Sequence, residues 1–251
     1  MRVALAGKGG AGKTTLAATM ARLLARAGSR VVAIDADSNP NLAVALGVDR
    51  ERRVASLPAA LVSRRLDGPR LNEPIDTVLD RYATLAPDGV QVLEMGAPGH
   101  ADEGCLCSAH ATVSAVLSDL GEQSPVNTVV DLEASPEHLS RGTARHADLL
   151  MLVAEPYYRA LEAVRRLADL AAELPIPTIV VVGNKVRDPQ DAGAIAEFCD
   201  RHDLRLAGTV PWSQDVADAD RRGVAVIDHA PASATVSGVA EMLEALAALS
   251  R

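Results

Sequence analysis

Aromatic residues are nearly missing from this chain of 251 residues: one Trp, three Tyr and one Phe. The core must therefore be packed from Ala, Val, Leu and Ile. Cysteine is also scarce. Cys105, Cys107 and Cys199 are too few for a disulfide framework and read as free thiols or metal ligands in a reducing compartment. No apolar run approaches the ~20 residues that span a bilayer. The opening Met1-Arg2-Val3-Ala4-Leu5-Ala6 has too short an apolar run for a signal peptide. These features are those expected of a cytoplasmic protein. Positive charge is in deficit, with 25 Lys+Arg against 33 Asp+Glu and a formal net charge of −8. That balance argues against broad binding to nucleic acid or an anionic membrane, though not against a local basic patch. Lysine is scarcest among the basic residues. Only Lys8, Lys13 and Lys185 occur, against 22 arginines.

The remaining composition is that of an ordinary globular protein, with 48% hydrophobic and 23% charged residues. Short β-branched runs alternate with amphipathic stretches. Strands are expected at Arg2–Ala6, Arg30–Asp35, Val90–Leu93, Asn127–Asp131, Asp148–Val153, Pro177–Gly183 and Arg205–Val210. Helical spacing marks Thr14–Ala27, Tyr157–Leu174 and Ala234–Ser250. Continuous apolar strands bounded by helices predict a single α/β domain over residues 1–251, a mostly parallel sheet with helices on both faces. Val48–Arg81, where Pro, Arg and Asp break the pattern, reads as an insertion within it. Ligands of such sheets bind at the C-terminal ends of the strands.

Between the first strand and the first helix lies Gly7-Lys8-Gly9-Gly10-Ala11-Gly12-Lys13-Thr14-Thr15, which fits G-x-x-x-x-G-K-[ST]. In that context the backbone N–H groups wrap a phosphate chain, helped by the positive end of the helix. Lys13 is expected on the β- and γ-phosphates and the Thr14 hydroxyl on Mg²⁺. The alternative is a glycine-rich turn that binds nothing. Lys8 is not required by a phosphate loop whose nucleotide Lys13 already serves. It is either a solvated surface lysine or a cation delivered across a dimer interface to the partner's nucleotide.

Other strand ends carry acids and amides. Asp35 and Asp37 follow the second strand, and Asp131 ends Val129-Val130-Asp131. A hard Mg²⁺ keeps several waters, and Asp131 would hold one. Asp35 could instead cap the following turn. Glu133 is either a further polar group at the site or a surface residue. Asn184, in Gly183-Asn184-Lys185-Val186-Arg187-Asp188, can pair with the N6/N7 edge of adenine. A guanine site of N-K-x-D type would need Asp where Arg187 stands, which favours ATP. Pro211 and Trp212 are candidates to pack near the base, with a core or lid anchor as the alternative for Trp212.

Gly104-Cys105-Leu106-Cys107-Ser108 is a second informative feature. In an extended segment residues i and i+2 face the same side. Two thiolates do not complete a tetrahedral or square site. A two-fold dimer would present four. Partly buried thiols with no metal are the alternative. His110 makes C-x-C-x-x-H and is either a ligand or a helix-surface histidine; Cys199 reads as a core thiol, and His138 shows no partner pattern.

The K-G-G-x-G-K-T-T loop resembles that of the nitrogenase iron-protein, chromosome-partitioning and division-site ATPase superfamily. The resemblance implies that Lys8 crosses to the other subunit. It also implies that Asp37 orients or deprotonates the attacking water and that Asp35 helps with the Mg²⁺ hydration shell. The superfamily usually places glycines after the second metal-binding Asp. Here Leu132-Glu133-Ala134-Ser135-Pro136 stands instead. The C-x-C, Glu137-His138-Leu139-Ser140-Arg141-Gly142-Thr143-Ala144 and Asn184-Lys185-Val186-Arg187 narrow the resemblance. Together they look like the CooC-type nickel-insertion ATPases that mature carbon monoxide dehydrogenase. This implies a homodimer that binds one Ni²⁺ or Zn²⁺ through Cys105 and Cys107 of both subunits. It would deliver nickel to the apo-enzyme, or to another nickel client, on ATP turnover. A partitioning or division-site switch and an iron–sulfur ATP-dependent reductase are the competing readings.

Overall fold

Apolar runs of about six residues, buried almost from end to end, form the centre of the computed structural model. It describes residues 1–49, 51–52, 55–65, 68–95, 107–123 and 126–249. The strands are β1 (Arg2–Gly7), β2 (Val31–Ala36), β3 (Val62–Arg65), β4 (Gly68–Leu71), β5 (Thr84–Leu85), β6 (Gln91–Glu94), β7 (Asn127–Leu132), β8 (Leu149–Ala154), β9 (Thr178–Val186) and β10 (Leu206–Pro211). The helices are α1 (Lys13–Arg26), α2 (Leu42–Ala45), α3 (Ile75–Tyr82), α4 (Cys107–Gln123), α5 (Glu137–Ser140), α6 (Tyr158–Ala171), α7 (Pro189–Arg201), α8 (Gln214–Arg222), α9 (Val226–His229) and α10 (Ala234–Leu249).

Eight strands form one sheet in the order β10-β9-β8-β1-β7-β2-β6-β5. All neighbours pair in parallel except β5, which runs against β6. Alternate residues of each strand feed two cores. Ala4, Ile34, Val130 and Leu152 join α4, α6 and α7 on one face. Val3, Leu5, Ala33, Val129 and Met151 join α1, α2 and α10 on the other. This is the single α/β domain expected. The seven long strands fall within a few residues of their expected bounds.

The broken pattern of Val48–Arg81 did not announce what it holds. The β3–β4 hairpin forms its own two-stranded sheet, and α3 follows it. Leu61, Ile75, Val78 and Leu79 join the same core as α4. At the far end of α1, buried Arg22 reaches Asp88, Asp228 and the Leu46 carbonyl. Among the described residues, no helix is long and apolar enough to cross a membrane.

Candidate functional site

The phosphate loop leaves β1 at the centre of the sheet and enters α1 at Lys13. Gly10 and Gly12 take φ of 81° and 92°, values that side-chain-bearing residues rarely adopt. Lys13 is buried, and its Nζ donates to the Gly7 carbonyl at 3.2 Å. Burial lowers its pKa, opposed by the charges of Asp131, Asp37 and Glu133. Lys8, Gly9 and Gly10 are exposed. The Lys8 side chain makes no hydrogen bond or ion pair among the described residues.

Parallel register brings three acids side by side. Asp35 on β2 pairs with Asp131 on β7 and with Glu94 on β6. In-register residues of parallel neighbours share a face, here the face of α1. Burial is the main cause of the raised pKa of each: about 7 for Asp131, about 6 for Asp35 and about 7 for Glu94. The charge of Asp35 adds to the shift of both neighbours. Glu94 was not among the residues singled out from sequence. Its only signal there is an acid at the end of an apolar run, shared with Asp35 and Asp131.

Thr14 Oγ1 donates to Asp131 Oδ2 at 2.5 Å. Asp131 Oδ1 is buried with no hydrogen-bond partner. A hydroxyl beside a carboxylate with an orphaned oxygen is a donor set that fits a hard divalent cation such as Mg²⁺. Asp35 accepts from the backbone N–H of Asp37, Asn41 and Leu42, so its carboxylate caps the loop after β2. Asp37 is half-buried and accepts from Asn39 N at 2.8 Å.

The opposite end of the loop meets β9. Asn184 is buried and its Nδ2 donates to the Ala11 carbonyl at 2.7 Å. Lys185 has φ of 59° and bonds the Gly10 carbonyl and Glu155. A cavity of about 660 Å³ runs from Gly10, Gly12, Thr14 and Thr15 past Asn184 and Lys185 to Pro211 and Trp212. Its size suits a nucleotide. Trp212 lies at the rim, 42% exposed, with the Arg187 guanidinium 5.6 Å from its ring centre. Arg187 also donates to the Tyr157 hydroxyl. The residue that stands where a guanine site needs Asp is thus engaged at the mouth of the cavity.

Cys105 lies outside the described residues. Cys107 is the first residue of α4. Cys199 is a buried free thiol, as expected. His110 is a correction. It is buried on α4, not on a helix surface, because it packs edge to face on His138 with centroids 4.4 Å apart. His138 therefore has a partner that its sequence neighbours did not suggest. Glu133 is partly exposed and accepts from Ser38 Oγ at 3.1 Å. Burial lowers the pKa of both histidines, that of His138 to about 3, so both are neutral.

Residues 3–226 match the family model described as the CobQ/CobB/MinD/ParA nucleotide binding domain. The chain belongs to this family. It is a P-loop ATPase. The ATPase is 36% identical over 243 residues to the carbon monoxide dehydrogenase accessory protein CooC of Rhodospirillum rubrum, covering 92% of this chain and 91% of that one. A ParA family ATPase from Chlorobium tepidum superposes with a TM-score of 0.73 at 20% identity, covering 98% and 97% of the two chains. The septum site-determining protein MinD from Pyrococcus horikoshii, solved with Mg-ADP, superposes with a TM-score of 0.72 at 18% identity, covering 99% and 97%. These two structural likenesses establish the shared fold.

Proposed function

We propose that this ATPase is an ATP-dependent metallochaperone that assists nickel insertion into carbon monoxide dehydrogenase or another nickel client. It works as a homodimer and holds one Ni²⁺ or Zn²⁺ per dimer through Cys105 and Cys107 of both subunits. The observation that carries this reading is the Cys105-Leu106-Cys107 pair on a chain 36% identical to the CooC accessory protein. The partitioning-type alternative rests on likeness of fold and on a weaker sequence likeness, and the acidic balance disfavours its usual nucleic-acid or membrane surfaces.

In this reading ATP lies along the cavity, its base beside Asn184, Lys185, Pro211 and Trp212 and its phosphates on residues 9–15. Lys13 neutralises the β- and γ-phosphates. Thr14 and Asp131 would hold Mg²⁺, with Asp35 supporting its hydration shell. The cation, when bound, offsets charge that develops on the phosphoryl oxygens. Asp37 orients or deprotonates the attacking water. Lys8 reaches the partner's nucleotide, and its exposed side chain is free to do so. Closure of the dimer around ATP brings four thiolates together.

Metal analysis with mass measurement tests this, with and without ATP, on wild type and on Cys105→Ala/Cys107→Ala. One divalent metal per dimer, lost in the variant, is the expected result. Metal content that survives the double substitution would overturn the reading.

A further inference from the structure

His110 and His138 have no part in the chemistry described above. His138 is 1% exposed, and neither ring nitrogen has a hydrogen-bond partner. An imidazole so placed gives up its bonds to water and regains none. A Phe or Leu would pack there without that loss, so histidine needs a reason.

A neighbouring carboxylate supplies it. Glu133 Oε2 lies 4.0 Å from His138 Nε2, beyond hydrogen-bond reach. Glu133 Oε1 is instead bonded to Ser38, the residue after Asp37. Between Glu133 and His138 the chain passes beside the phosphate loop, close enough that a Cβ built on Gly9 would lie 3.5 Å from Ala134 Cβ. On its other side His138 rests on His110, whose Nδ1 is 3.2 Å from Thr143 Oγ1. His110 lies less than one helical turn from Cys107, the first residue of α4.

We propose that His138 carries the arrangement of residues 133–136, through His110, to the first turn of α4, so that the bound nucleotide sets the reactivity of the thiol pair. Both histidines are positioning residues. A swing of Glu133 from Ser38 to His138 satisfies the orphaned nitrogen. Close packing then passes the shift to His110, because packed interiors transmit displacement with little compression. This rests on the proposed function, in which the nucleotide governs metal held by those thiols.

The test is the rate at which iodoacetamide alkylates Cys105 and Cys107, read by peptide mass mapping on the full chain with ADP and with a non-hydrolysable ATP analogue. In wild type the two nucleotides should give rates that differ about fivefold or more. His138→Phe should cut that ratio severalfold, leaving only the part that dimer closure gives, while ATP hydrolysis stays at the wild-type rate. A merely structural role would move both rates together and leave their ratio. If His138→Phe does not fold, Glu133→Ala cuts the same link at a partly exposed position and should reduce the ratio by the same factor. A folded variant that keeps the wild-type ratio, or a wild-type ratio of unity, overturns the proposal. Metal titration of the same samples separates the two claims. A ratio that follows nucleotide through His138 without bound metal supports the relay and removes the cargo. Metal bound normally with an unchanged ratio in His138→Phe removes the relay alone.

Discussion

Asn184 fills the space that a side chain on Gly12 would need. A Cβ there would lie 2.4 Å from Asn184 Nδ2, the atom that holds the Ala11 carbonyl. Gly12→Ala therefore meets both a clash and a φ of 92°. ATP binding should weaken by at least about thirtyfold. Gly10→Ala has the positive φ but no atom within 4 Å, and should cost only about tenfold. Calorimetric titration with ATP compares them. Adding Asn184→Ala to Gly12→Ala should recover part of the loss, and equal affinities for the two single variants would count against the steric account.

Lys8→Ala should fold and bind ATP like wild type, because its side chain is exposed and bonds to nothing described. Hydrolysis should fall by about a thousandfold, the scale of a cation supplied in trans. Light scattering with ATP should also show loss of the dimer. Wild-type turnover and association in this variant would remove the shared-lysine mechanism.

Asp131 gives a pH test with a definite sign. Burial raises its folded-state pKa to about 7, above the ordinary 3.8. The folded state then binds the extra proton between these values. Its contribution to stability is present at low pH and is lost as pH rises towards 7. Asp131→Asn removes that loss. Without magnesium, the melting temperature of the variant relative to wild type should rise between pH 5 and pH 8, by an amount on the order of 2–3 kcal/mol in stability. Taking the difference between the two proteins cancels the opposite slope from the buried neutral His138. A difference that is flat with pH would show that Asp131 is ionised throughout. ATPase activity of Asp131→Asn should fall about a hundredfold.

Arg22 is 2% exposed and bonds Asp88, Asp228 and the Leu46 carbonyl. Arg22→Met removes the buried cation of this cluster, leaving only the more exposed Arg26 on Asp88 and Asp228, and should destabilise the fold by about 3 kcal/mol. That corresponds to a fall of roughly 6–12 °C in the melting midpoint. Arg22→Lys should not restore it, because one ammonium cannot make the forked contacts to Asp228. A midpoint within about 2 °C of wild type would contradict this.

The phosphate loop was legible because its geometry is local. Nine consecutive residues carry it, and Gly10 and Gly12 answer a local backbone demand. The strands were legible for the same kind of reason. A buried parallel strand must be apolar along its length, so Val31–Ala36 and Leu149–Ala154 stand out in the chain. Arg187 in place of an acid was also visible at once, and it sits at the mouth of the cavity.

Strand order was a different matter, because pairing joins residues far apart in the chain, 96 positions for Asp35 and Asp131 and 59 for Asp35 and Glu94. Only the placement of β7 between β1 and β2 sets Asp131 beside Asp35, and only the pairing of β6 adds Glu94. The contact of His110 with His138 depends on how α4 and α5 dock, which no local periodicity encodes. Short-range sterics write themselves into neighbouring residues. Register and packing arise from the whole chain at once, and those long-range contacts bring the acids and the histidines together.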